Sequence, residues 1–300
     1  MLSKDLIGHI QESYPEIEGK RNLSKDVFIA CDFREKKKNN EYWGISFLLS
    51  DLDSIEAFSQ YRLQIKKEHN IEGQEISYKK LKPSKFHPTV LNKYLSAADT
   101  IDGILFNFMI HPSYDTVYNN SKSVWRNDKE LSTFKFNQFQ KLELFSHLSG
   151  LVISSINSEI ETLKWITDND NVLNNPSRKG VAIKYYFKTI SQYLDQNDFE
   201  YNFIDPDRDS DDRILADLAN IPDLIVGPMV DIKNSYLREG IEITKKGVLF
   251  PESTKIKSIS YSEWFFSNNK ALKKVNTEIQ FNPETNMINY FDLYPKHSGI

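Results

Sequence analysis

Asp32, Asp168 and Asp217 each stand in an apolar run that has no ordinary use for a negative charge. VFIACD ends at Asp32, ETLKWITD ends at Asp168, and RILADLANI holds Asp217 inside it. Burying an unpaired carboxylate is costly, so acids in such places meet a cation or a metal ion. The first two runs have strand character and the third has helical spacing. Carboxylates at the ends of neighbouring strands, with another on a helix laid across them, can hold a hard divalent cation. The chemistry such a group points to is metal-dependent hydrolysis of a phosphodiester.

Each acid also has an ordinary reading. Asp32 would end its strand and open the charged loop REKKKNNE. Asp168 and Asp170 begin DNDNVLNNPSRKG, a stretch rich in turn formers. An EF-hand is excluded there: with Asp168 as first ligand, Leu173 falls where the loop needs glycine and Lys179 where it needs a bidentate Glu. Asp217 lies about 60° from Ile214 around a helix, at the edge of the stripe shared by Leu218 and Ile221. Its ordinary partner would be Arg213, one turn earlier. Asp209, Asp211 and Asp212 are first-turn acids of the same helix. Lys79, Lys80, Lys82 and Lys179, with Arg178, either hold a phosphate backbone or form solvated faces.

The elements that must position these residues alternate between strand and helix. Strands are expected at Val27–Cys31, Tyr42–Leu49, Ile104–Ile110, Ile160–Ile166 and Phe199–Ile204, with a short extended piece at Gln74–Tyr78. Helices are expected near the N-terminus (Leu2, Leu6, Ile10), at Leu52–Ile65 with Ile55, Phe58, Tyr61 and Ile65 inward, from His87-Pro88, at Phe134–Ile156, at Val181–Leu194, and from Ile214 to a stop near Pro222. Residues 113–130 read as an irregular loop. GIEITKKGVLF and TEIQFNPETNMINYF each read as strand–turn–strand. The expected organisation is an N-terminal helical segment (1–25), an α/β domain (26–237) with a mixed sheet flanked by helices, and a small C-terminal β-rich appendage (238–300).

Composition narrows the class. Apolar residues make up 39% and charged residues 27%, which is globular rather than disordered or fibrous. A net charge of −4 excludes a uniformly basic surface but not a local basic groove. Cys31 is the sole cysteine, so neither an internal disulfide nor a cysteine zinc cluster can form. No apolar run is long enough to span a bilayer, and the N-terminus lacks a signal-type apolar core, so a cytoplasmic location is expected. There is no GxSxG elbow, P-loop or HExxH. Of six histidines His111 is the best placed, after a strand and before Pro112, and it reads as structural.

The order of these pieces resembles a large bacterial domain-of-unknown-function family with a ribonuclease-H-like fold. A first strand ends in Asp (CDFRE), a Glu precedes a lysine-bearing segment (EISYKKLK), a later strand ends in Asp (WITDND), and a closing helix reads LADLANIPDLIVG. The family typically has Asp-Glu-Ser-Gly in the first strand and Leu-x-x-Ala-Asp-Leu-x-x-Gly in the closing helix. The resemblance covers roughly residues 26 to 227. It implies that Asp32, Glu75, Asp168 and Asp217 form a catalytic site holding Mg²⁺ or Mn²⁺. It implies a nuclease acting on DNA or RNA, in bacterial defence or mobile-element biology. The first motif lacks Ser-Gly and the closing motif has Asn-Ile-Pro-Asp. The alternative is therefore a catalytically inactive binding or scaffold subunit that keeps the fold and joins a protein partner.

Overall fold

The apolar run VFIAC does not alternate with polar residues because both faces of its strand are covered. In β1 (Asp26–Arg34) residues 27–31 are all buried. The computed structural model describes residues 4–20, 25–35, 40–74, 76–78, 88–114, 121–156, 160–167, 172–173, 175–194, 199–206, 213–240, 250–267, 271–282 and 287–292. β1, β2 (Trp43–Asp51) and β3 (Gly103–Ile110) form an antiparallel meander. On the other side of β1 lie β4 (Thr162–Thr167), parallel to it, and β5 (Glu200–Ile204), parallel to β4. β6 (Leu272–Asn282) runs parallel to β3, and β7 (Met287–Asp292) returns antiparallel. The sheet order is β5-β4-β1-β2-β3-β6-β7. This is the mixed, helix-flanked, ribonuclease-H-like sheet expected from the sequence. Its C-terminal β-rich element is the β6–β7 hairpin, which continues the sheet beside β3.

Alternation along the strands divides the core in two. Val27, Ile29 and Cys31 face α1 (Lys4–Ser13), α5 (Phe136–Ile156) and α6 (Pro176–Ile190). Phe28 and Ala30 face α2 (Glu56–Glu68), α3 (Pro88–Ala98), α7 (Ile214–Glu239) and α8 (Ile256–Phe266). Each face of the sheet thus has its own apolar layer.

Several expectations need correction. α7 does not stop near Pro222 but runs through Pro222 and Pro228 to Gly240, whose φ of 62° and N–H to the Tyr236 carbonyl end it. A proline inside a helix costs about 3 kcal/mol. Here burial of nearly every residue from 216 to 236 against β1, β2 and β3 offsets that cost. Residues 113–130 are not wholly irregular, since α4 (Ser121–Asn127) forms there. Its Trp125 packs on Phe136 and donates to the Phe134 carbonyl at 3.0 Å. Ile76–Tyr78 is not a strand: the Tyr78 N–H donates to Asp223 of α7 at 2.6 Å instead of to a sheet neighbour. On α2, Tyr61 is 53% exposed, and Arg62 takes the inward position next to it. Gln74 is described but Glu75 is not, and the expected strand pair at 241–249 also lies outside the described residues.

Candidate active site

Asp32 occupies β1 on the face that meets α7, since Ala30 before it and Arg34 after it both point that way. Parallel pairing of β1 with β4 ends at Cys31 opposite Thr167. The last residue of β4, Thr167, thus stands beside the residue before Asp32. Asp168 and Asp170 themselves lie outside the described residues, as do Glu75, Lys79, Lys80 and Lys82. Two of the four predicted acids, Asp32 and Asp217, can thus be located.

Asp32 is the open end of a polar row. Across the sheet it pairs with Ser46, Ser46 with Asn107, and Asn107 with Asn276, all on the α7 side. Ser46 and Asn107 are fully buried and Asn276 nearly so, whereas Asp32 is half-buried. Ser46 Oγ donates to the Phe106 carbonyl at 2.7 Å, and Asn107 Nδ2 to Asn276 Oδ1 at 2.6 Å. Buried polar groups are normally paired, and in this row Asn107 Nδ2 and Asn276 Oδ1 are, while Asn107 Oδ1 and Asn276 Nδ2 are not, among the described residues. The row therefore fixes the register beneath α7 and brings polarity up to Asp32.

Asp217 is 1% exposed and is held by α2. Arg62 Nη1 and Lys66 Nζ reach its Oδ2 at 2.7 and 2.5 Å. The cation expected for it, Arg213, contributes its backbone carbonyl to the Asp217 N–H instead. Arg213 is left-handed at the helix start, with φ 56°. Burial raises the Asp217 carboxyl above its ordinary range, and Lys66 and Arg62 pull against it. Tyr94 lies beside the same carboxylate. Burial first, and then the Asp217 charge, push its hydroxyl well above the usual tyrosine range.

That arrangement tests the predicted metal. Carboxylate oxygens are the right ligands for Mg²⁺ or Mn²⁺. Among the described residues, however, no three acids or histidines converge as a metal would need, and two organic cations already share Oδ2 of Asp217. Asp217 as it stands does not fit a divalent ion. Lys179 is likewise engaged, bonding Asp205 at 2.8 Å with its ammonium 4.7 Å from the Phe203 ring centre. His111 is structural: its Nδ1 accepts from the Ser113 N–H at 3.0 Å, its ring meets Tyr42 edge-on, and burial lowers its basicity.

The sequence reading missed the cations. Arg62 follows Phe58 by four residues and Lys66 follows Arg62 by four, so both continue the buried stripe of α2, and that spacing was the available signal. It also missed Asp231 on α7. Asp231 Oδ1 accepts from Arg34 at 3.3 Å, and Oδ2 from Lys255 at 2.6 Å and Tyr78 at 2.7 Å. A second buried pair, Lys233 to Glu278 at 2.6 Å with the Tyr42 hydroxyl on Glu278 at 2.9 Å, ties α7 to β6.

No family model matches the chain, and no curated protein matches it. Among solved structures it is similar to the ribonuclease H2 of Pyrococcus horikoshii OT3, at 14% identity and a TM-score of 0.36, covering 81% of this chain and 100% of that one. So loose a likeness carries no argument; the strand order is that of a mixed α/β sheet.

Proposed function

We propose that the protein acts on nucleic acid as a Mg²⁺- or Mn²⁺-dependent phosphodiester hydrolase. Asp32, Glu75, Asp168 and Asp217 are the acids around the ion, and Lys79, Lys80, Lys82 and Lys179 lie along the strand path. A role in bacterial defence or mobile-element biology goes with this reading. The observation that supports it is the β1–β4 register, in which Thr167, the last residue of β4, pairs with Cys31, the residue before Asp32. In this reading Arg62 and Lys66 must release Asp217 when metal binds. The test is incubation of purified protein with labelled single- and double-stranded DNA and RNA, with and without Mn²⁺. Metal-dependent cleavage that Asp32→Asn abolishes is the expected result.

The Asp217 cluster favours a second reading. Lys66 and Arg62 neutralise the acid from inside the core, as a protein without a metal would require. That suits a binding or scaffold subunit that keeps the fold without turnover. Binding of nucleic acid or a protein partner, with no cleavage under any metal, is its expected signature.

A further inference from the structure

At the carboxyl end of β1, two residues past Asp32 on the same face, a pocket of about 100 Å³ opens between Arg34, the C-terminal half of α7 and the segment leading into α8. Pockets for nucleobases or cofactors run to about 300–1,000 Å³, so this one takes a single small group. Its polar wall holds three cations, Arg34, Arg238 and Lys255, with Asn234 and Ser253 beside them. Lys257, outside the lining, donates to the Tyr78 carbonyl at 3.1 Å and lies 3.9 Å from the centre of the Tyr78 ring.

The wall also holds three acids, Glu35, Glu41 and Asp231, two of which are engaged by cations in ion pairs. Asp231 is shared by Arg34 and Lys255 at once. Burial pushes its carboxyl up, but bonds from Lys255 and Tyr78 outweigh that and hold it below the usual range. Glu35 pairs outward with Lys141 at 3.0 Å, while Glu41 lies in the wall and Glu239 reaches it through the Ser253 N–H at 2.9 Å. Arg238 meets a hydroxyl, Ser235 Oγ at 2.9 Å, and among the described residues no carboxylate in ion-pair contact. Lys257 is depressed by burial and then by the charge of Lys255. Crowded cations around a small open pocket are complementary to a compact anion with several acceptor oxygens.

We propose that this pocket binds a phosphate group, with Arg238 and Lys255 as its principal donors and Arg34 as the link to the Asp32 face. Its phosphate would be that of a nucleic-acid strand lying along β1. For that source alone the inference rests on the function proposed above.

The test uses the full chain without divalent metal, so hydrolysis enters no readout. Wild type, Arg238→Gln and Lys255→Gln are compared with Lys188→Gln, an exposed lysine of α6 on the opposite face of the sheet. The probes are inorganic phosphate, a 5′-mononucleotide and single-stranded oligonucleotides. Phosphate is expected to raise the melting temperature of the wild type and of Lys188→Gln. Arg238→Gln and Lys255→Gln are expected to lower that rise, weaken oligonucleotide binding about tenfold, and reduce its salt slope by about 1. Arg238 and Lys255 are exposed, so both variants should fold. If only phosphate and mononucleotide discriminate the variants, the site stands and the strand is removed as its source. If no probe is held more weakly by Arg238→Gln than by Lys188→Gln, the inference is overturned. Absence of cleavage with Mn²⁺ would remove the hydrolase reading and leave this one standing.

Discussion

Lys66 Nζ lies 2.5 Å from Oδ2 of Asp217 with both side chains 1% exposed, which joins α2 to α7 through a buried charge pair that Arg62 shares. Such a pair is poor evidence of stability relative to an apolar isostere, but breaking it strands a charge. Asp217→Asn is therefore expected to cost about 3–5 kcal/mol, because Lys66 would lose its carboxylate partner inside the core. Chemical denaturation measures this directly. A loss under about 1 kcal/mol would mean the cations escape to solvent. Asp217→Asn combined with Lys66→Met should recover part of the loss.

Manganese separates the two functional readings. A ligand that binds the native state alone at a hundredfold excess over its Kd stabilises by about 2.7 kcal/mol. The hydrolase reading expects millimolar Mn²⁺ to raise the melting temperature of the wild type and Asp32→Asn to abolish that rise. An unchanged melting temperature in the wild type would favour the binding-subunit reading.

Glu143 gives a pH dependence. It sits in the apolar layer of α5 with Ser121 Oγ donating to it at 2.7 Å, and burial pushes its carboxyl up to about 7. The unfolded chain releases this proton near the ordinary glutamate value, while the folded chain keeps it to about 7. Stability from this group is therefore full below about pH 4.5 and falls between about pH 4.5 and 7, by roughly 3 kcal/mol at 1.36 kcal/mol per unit. Glu143→Gln should flatten that part of the stability profile in urea denaturation. A parallel profile for both proteins would overturn the assignment.

The closeness of α7 to the sheet can be tested with two glycines. A Cβ at Gly44 would stand 2.8 Å from Val226 and 3.0 Å from Val230, and one at Gly227 would stand 2.4 Å from the Tyr78 ring. Gly44→Ala and Gly227→Ala should each cost about 1–3 kcal/mol. Gly227→Ala should also loosen the Tyr78–Asp231 bond, which would appear as altered fluorescence or exchange around α8. Thermal melts of both variants, with Gly180→Ala as the roomy control, decide this.

Much of the frame was legible in the chain, because burial and periodicity are local properties. VFIAC, ILFNFMI and IETLKWI read as strands, and the structure places them in β1, β3 and β4 of one mixed sheet. The helix of Phe134–Ile156 read clearly because its apolar residues recur over many turns. What failed was the extent of α7. Proline is a local stop signal, and only contact with β1, β2 and β3 made continuing the helix favourable.

The sequence by itself determined that Asp32 follows an apolar strand segment, that Asp217 lies on the border of a buried helical stripe, and that strands alternate with helices; that β1 runs past Asp32 to Arg34 was set by its pairing with β2. Which cation meets Asp217 was decided by tertiary structure. Arg213 is a neighbour in sequence but takes a left-handed backbone conformation outside the helix, whereas Arg62 and Lys66 are more than 150 residues away and arrive on α2. The same holds for Asp231, which only the approach of β1, Tyr78 and α8 turns from a surface acid into the centre of a basic pocket. Periodicity along one element shows which face is buried. What that face meets depends on how distant elements dock, and a carboxylate's chemistry follows from the charges it meets there.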